Sequence, residues 1–152
     1  MTTNQPSILS AAEGQKFFIG NWEITSRVVG PQNGNTFELY DLILGPGAVD
    51  YHVHHTSDET ITVLEGNIEF MCDGKKFLHG PGATAFIPMG VHHGFTNVGP
   101  GKARVLLLFS PSSRQNEFFG KVEALFKHEK PDLQELARLQ KEYDQELVPW
   151  PN

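Results

Sequence analysis

Gly47-Ala48-Val49-Asp50-Tyr51-His52-Val53-His54-His55-Thr56-Ser57-Asp58-Glu59, running on to Val63-Leu64-Glu65-Gly66, is the stretch on which the reading of this chain turns. In an extended segment, side chains two residues apart share a face, so His52 and His54 project together. A carboxylate five residues further on can return to the same centre if the chain bends between them, and Thr56-Ser57-Asp58 suits a bend. A second imidazole-bearing stretch starts at Gly82 and runs through Phe86-Ile87-Pro88-Met89-Gly90-Val91-His92-His93 to Asn97. The expectation is that His52, His54, Glu59 and His93 meet around one metal ion inside a small β-barrel. The competing reading is that these are separate surface polar residues, each with an ordinary hydrogen bond. His-x-His alone is a weak signal. It gains force only with Glu59, Gly66 and the Pro88-to-Asn97 stretch at their spacings.

Composition limits the alternatives. A chain of 152 residues is one domain able to bury a sizeable core. Hydrophobic residues make up 39% and charged residues 20%, a globular balance. Gly and Pro together number 25, which favours short strands and turns. The net charge of -6 gives a nucleic acid no electrostatic help, and no basic run suggests a membrane surface. No positively charged leader precedes an apolar run, and no apolar run approaches the length of a bilayer span. Cys72, the single cysteine, excludes an internal disulfide framework, so the expected setting is a reducing cytoplasm. Cys72 itself reads as a small core residue.

In chain order, residues 1–15 are polar and turn-rich, an arm or an edge strand lent to a neighbouring subunit. Strands are expected from Lys16 to Val29, then from Thr36 to Leu44 after Pro31-Gln32-Asn33-Gly34-Asn35, where Asn-Gly signals a hairpin. Asn67 to Cys72, Asp73-Gly74 and Lys75 to His79 form the clearest hairpin, since Asp-Gly suits a type I′ turn. Further strands are expected at Thr60–Leu64, Ala83–Ile87, His93–Asn97 and Ala103–Ser110. About ten short strands with frequent turns imply a sandwich or barrel. After Pro111 the pattern becomes helical. Phe118, Phe119, Val122, Leu125 and Phe126 recur at helical spacing, with Ser112 and Gln115 placed for a capping box. Pro131-Asp132 opens a second helix with Leu133, Leu136, Ala137 and Tyr143 on one face. These helices are expected to form a lid over the barrel or a dimer contact.

The spacings carry a resemblance. Gly47, His52-x-His54, Glu59 and Gly66 look like the first cupin motif, with Gly47 one residue closer to His52 than usual. Gly82, Pro88, Gly90, His93 and Asn97 match the second at every defined position. The resemblance, covering roughly residues 16 to 126, is to single-domain bacterial cupins grouped as quercetin-dioxygenase-like. It implies an all-β jelly-roll barrel over residues 16–111, followed by a helical extension over 112–152. It implies a metal held by His52, His54, Glu59 and His93, and motif spacing is the only ground for choosing His93 over His92. His55 and His92 should face away by alternation, His79 and His128 read as surface residues, and Asn97 as a hydrogen-bonding strand residue.

Four protein ligands leave open positions on a six-coordinate ion, the mark of a catalytic rather than a structural site. The ligand mixture suits a divalent transition metal, whether Fe, Mn, Ni, Co, Cu or Zn. Glu59 could serve as ligand and as the base that takes a substrate proton. Ile61, Val63 and Phe95, sharing parity with the ligands, are expected to line an apolar substrate pocket. The favoured activity is a dioxygenase acting on a small aromatic or enolic molecule. An isomerase, cyclase or lyase using the same centre without oxygen, and a binding module without chemistry, stay open. A homodimer is expected, as C2 dimers are the commonest assemblies.

Overall fold

The computed structural model describes residues 5–151. Among them run β1 (Lys16–Ile19), β2 (Trp22–Val28), β3 (Glu38–Leu44), β4 (Gly47–Val53), β5 (Asp58–Glu65), β6 (Ile68–Cys72), β7 (Lys75–His79), β8 (Thr84–Ile87), β9 (His93–Asn97) and β10 (Ala103–Ser110). The helices α1 (Gln115–Phe126) and α2 (Leu133–Glu142) follow, then the two-residue strand β11 (Glu146–Leu147). The strands form two antiparallel sheets of a jelly roll, in the orders β1-β2-β3-β10-β5-β8 and β11-β4-β9-β6-β7.

Alternation places the core. On β10, Ala103, Val105, Leu107 and Phe109 are buried and the residues between them are half-exposed, the pattern of a sheet packed on one face. Ile61 and Val63 of β5 and Tyr40, Leu42 and Leu44 of β3 join them in one cluster. The expected type I′ turn forms at Asp73 and Gly74, whose φ angles are 49° and 75°. Gly66, between β5 and β6, has φ 84°, and a Cβ there would lie 2.8 Å from the Ala103 side chain. Only glycine meets both conditions.

Several local expectations are corrected. The Asn33-Gly34 segment does not make a two-residue hairpin. A single 3-10 turn at Gly30–Gln32 precedes it, and the Asn33 side chain accepts from the Thr36 amide at 3.0 Å, so β2 and β3 pair across a longer connection. Of the N-terminal arm, residues 1–4 lie outside the described residues, and at residues 10–13 Arg27 on β2 donates to the carbonyls of Ser10, Ala11 and Glu13. Cys72 is half-buried, outside the core.

Helix α1 lies against the barrel as a lid, and α2 packs on α1 and β11. Phe119 meets Tyr40 edge-on with ring centres 5.0 Å apart, and packs beside Phe17 and Phe118. The expected capping box at the start of α1 is absent. Arg114 occupies the cap position in a left-handed conformation with no side-chain cap. Instead the buried carboxylate of Glu38, on β3, accepts from the backbone amides of Ser113, Gln115 and Asn116 at 2.8, 3.4 and 3.4 Å, and from Tyr40 Oη at 2.7 Å. A strand residue thus serves the amides a helix start leaves unpaired. Burial, reinforced by Glu38, pushes the Tyr40 phenol well above its usual range. In α2, Asp132 caps as expected, accepting from the amides of Gln134 and Glu135. Its inward face, however, is Leu136, Leu139 and Tyr143, while Leu133 and Ala137 are exposed.

Candidate metal centre

Each sheet contributes to the centre. His52 on β4 and His93 on β9 are cross-strand partners, beyond a bulge that breaks the β4–β9 register between Val49 and His52. Gly94 makes that bulge possible, since a Cβ there would lie 2.8 Å from the Val49 carbonyl oxygen. Glu59 comes from β5 in the other sheet, opposite Phe109. His54 lies just past the end of β4, in the connection to β5. That connection is tied down on all sides: Gly90 donates to the His54 carbonyl, Met89 to the Asp58 carboxylate, and Ser57 Oγ to the Pro111 carbonyl.

The four residues meet. One potential ligand atom from each of His52, His54, Glu59 and His93 lies within 4.8 Å of the others, and all four residues are at most 3% exposed. The rings of His52 and His93 are centred 4.4 Å apart, and Phe109 packs edge-on against His54. Each imidazole donates its Nδ1–H to a carbonyl: His52 to Asp50 at 2.6 Å, His54 to Asp144 at 2.6 Å, and His93 to Val91 at 2.9 Å. A carbonyl can only accept, so the partner assigns the tautomer. In a neutral imidazole so held, Nε2 keeps a lone pair directed at the centre.

Those lone pairs face one another. His52 Nε2 and His54 Nε2 are 3.1 Å apart, and Glu59 Oε2 is 3.1 Å from His54 Nε2 and 2.7 Å from His93 Nε2. With neutral imidazoles this is a ring of acceptors, and a cation at its middle would reconcile them. Three nitrogens and one carboxylate oxygen suit a borderline divalent transition ion, so the residues fit the group. The electrostatics differ from ligand to ligand. Burial, and then the adjoining His93 and His54, push His52 down to about 3. Burial would raise Glu59, but the two imidazoles beside its oxygen, His54 and His93, outweigh it and hold the carboxyl below the usual range. For His54 burial acts downward, and the Glu59 carboxylate overcomes it, raising the imidazole.

The neighbouring histidines separate as alternation requires. His55 is exposed and pairs with Glu146 at 2.8 Å. His92 is exposed with its ring edge-on to Tyr51, and His79 and His128 are exposed. Asn97 is buried, donating to the Leu44 and Gly101 carbonyls and accepting from Gly99.

A cavity of about 360 Å³ runs from the centre toward the helices. His52, His54 and Glu59 face it, as do Trp22, Leu42, Phe95, Leu107 and Phe109 from the barrel and Phe118, Phe119 and Val122 from α1. Of the expected pocket residues, Phe95 is on this wall. Ile61 and Val63 share the inward face of β5 with Glu59, but they are fully buried in the core cluster and do not reach the cavity. The sequence reading missed the polar points of the wall, Gln115, Gln140 and Gln145, and also Asp144. No local pattern marks these residues, because their positions depend on how the helical segment folds back on the barrel.

Fold and site together define a jelly-roll barrel with a buried three-histidine, one-glutamate centre. The family model described as the Cupin domain matches residues 40–109. The chain is 35% identical over 91 residues to quercetin 2,3-dioxygenase of Bacillus subtilis (strain 168), a match covering 59% of this chain and 27% of that protein. It is 36% identical over 70 residues to the polyketide synthase CurC of Streptomyces cyaneus, covering 45% of this chain and 46% of that protein. The matches thus span about a quarter and just under half of these relatives. Among solved structures, KdgF from Halomonas sp. superposes with a TM-score of 0.66 at 19% identity, over 74% of this chain and 99% of that one. The barrel thus carries a Cupin domain match over residues 40–109 and has the cupin fold. Among the described residues, no helix is long and apolar enough to cross a membrane.

Proposed function

We propose that this cupin is a metal-dependent enzyme of dioxygenase type, acting on a small aromatic or enolic molecule bound beside His52, His54, Glu59 and His93. The observation that carries the proposal is the junction of two features. A ring of buried lone pairs suited to a divalent ion opens onto a cavity walled by aromatic and aliphatic side chains. A cavity of this size and lining suits a flat, largely apolar ligand. When bound, the metal would supply Lewis-acid polarisation and, if redox-active, the electron exchange that dioxygen chemistry needs.

The chain's own residues divide the remaining work. His52, His54 and His93 would hold the ion through Nε2, each oriented by its carbonyl partner. Glu59 would accept the acidic proton of an enol or phenol, being held as a carboxylate by the same imidazoles. Phe95, Phe109, Phe118 and Phe119 would exclude water and stack on a planar ligand. Gln140 and Gln145 offer amide groups to its hydroxyl or carbonyl substituents. The 35% identity to a quercetin 2,3-dioxygenase supports an aromatic, hydroxylated substrate.

The test is oxygen uptake by chain reconstituted with each of several divalent metals, against a panel of flavonols, catechols and enediols. Oxygen-18 entering the product supports the dioxygenase. A product at unchanged oxidation level without oxygen uptake would move the chain to the isomerase, cyclase or lyase reading, and stoichiometric retention without product to a binding module. The match to a polyketide synthase protein is what keeps the second reading in view. The proposal also includes a cytoplasmic homodimer, which light scattering of the purified chain would refute by returning a monomer mass.

A further inference from the structure

The three imidazoles are not oriented in the same way. His52 and His93 lie on paired strands, and each donates Nδ1–H to the carbonyl two residues earlier in its own segment. His54 lies beyond β4, without a ladder, and its Nδ1–H goes to the carbonyl of Asp144, ninety residues away in the chain. Asp144 also reaches the adjoining backbone. Its carboxylate accepts from the His55 amide at 2.8 Å, the Thr56 amide at 2.8 Å and Thr56 Oγ1 at 2.7 Å. Its own φ of 60° turns the chain from α2 into β11, whose residues Glu146 and Leu147 pair with Val53 and His52. The Gln145 amide donates to the Gln140 carbonyl at 2.7 Å, closing the same corner.

We propose that Asp144 is the positioning residue of the centre: by carbonyl and carboxylate it sets where His54 stands, and so sets metal affinity and ligand field. The inference rests on the four-ligand reading above. It extends that reading, because the segment that lines the cavity through Leu136, Gln140 and Gln145 is also the segment that aims a ligand. Partners of this kind fix the tautomer and ring plane of a metal-bound imidazole, and their removal typically lowers metal affinity by about 10- to 100-fold.

The test uses the full chain, with Co²⁺ as the probe read by its visible absorption and by titration. Asp144→Gly removes the carboxylate and keeps a left-handed backbone free of strain. The carbonyl that accepts from His54 stays, but it loses its clamp to the backbone at His55 and Thr56, so Co²⁺ affinity should fall by up to about tenfold and the visible bands should shift, while Asp144→Asn, which keeps one acceptor oxygen, should recover most of both. Thr56→Val, losing a single hydrogen bond of the clamp, should shift both in the same direction by less. Thermal unfolding of the metal-free variants separates a structural role. A lower unfolding temperature with unchanged Co²⁺ affinity and spectrum would overturn the proposal. Should Asp144→Gly not fold, Thr56→Val decides, and a wild-type spectrum there overturns it. A wild-type chain that takes up no Co²⁺ would remove the centre itself, whereas a wild type that binds, with Asp144→Gly matching it, removes the positioning role alone.

Discussion

Replacing Glu38 should loosen the lid by an amount that can be worked out from its partners. Its side chain is 1% exposed and serves four donors, two at 2.7 and 2.8 Å and two at 3.4 Å. Only the two short bonds are expected to contribute fully, because strength falls steeply with distance. In Glu38→Gln one oxygen becomes an NH₂, which cannot accept from whichever short donor it faces. One buried donor is then left unpartnered, at a cost of about 1–3 kcal/mol. The weaker amide sharing that oxygen adds a little, so about 2–3 kcal/mol is expected in total. Glu38→Ala abandons every donor and opens a void, and should cost about 4–5 kcal/mol. For a chain of this length, 2–3 kcal/mol corresponds to a fall of about 5–10 °C in Tm. Urea denaturation gives the free energy, and hydrogen exchange at the amides of Ser113, Gln115 and Asn116 localises it. If Glu38→Gln unfolds within about 0.5 kcal/mol of wild type, with those amides still protected, the capping role assigned to Glu38 is wrong.

Two further outcomes are expected. His93→Ala or Glu59→Ala should sharply lower the bound metal found by elemental analysis while preserving the β signature in circular dichroism, and His92→Ala should leave metal content unchanged; the reverse ranking of the two histidines would exclude His93 as a ligand. For pH, Asp41 is bridged by Arg104 Nε and Nη2 at 3.0 and 2.6 Å, with Arg27 at 3.5 Å. Burial would raise this carboxyl, but the two guanidiniums outweigh it and lower its pKa. A lowered native pKa means stability that is complete above the ordinary carboxylate value of about 4 and is lost as pH falls through the native value. Because Arg104 is 35% exposed and screened, Asp41→Asn should cost only about 1 kcal/mol at pH 7. That gap should close toward pH 3, and a gap constant with pH in urea midpoints would show that the pair contributes nothing by charge.

The strands and turns around the centre were legible in the sequence because their determinants are local, whereas His93 was chosen over His92 by motif spacing alone. His52 and His54 share a strand-like stretch, Gly66 and Asp73-Gly74 mark turns that need positive φ, and β10 alternates without interruption. What escaped depends on contacts between distant segments. Glu38 looks like any charged residue at a strand start, and nothing around it shows that a helix starting seventy-seven residues on will begin against it. Leu133 fits the apolar period of α2, yet it is 70% exposed because α2 turns its Leu136–Leu139–Tyr143 side inward, toward α1 and β11. Ile61 and Val63 have the correct parity for the interior, but parity cannot tell a packed interior position from one that borders a void. Asp144 carried no signal at all.

The division of ligands between the sheets has a practical consequence. Two imidazoles come from paired strands of one sheet and the carboxylate from the other, so an ion bound by all of them rivets the halves of the barrel together. Unfolding would then have to expel the ion, and free metal at a hundred times its dissociation constant would add about 2.7 kcal/mol of stability. In a chain this long that is a rise of about 5–10 °C, which a melting curve resolves easily. A simple heating screen across candidate cations would therefore rank them by affinity before any substrate is known.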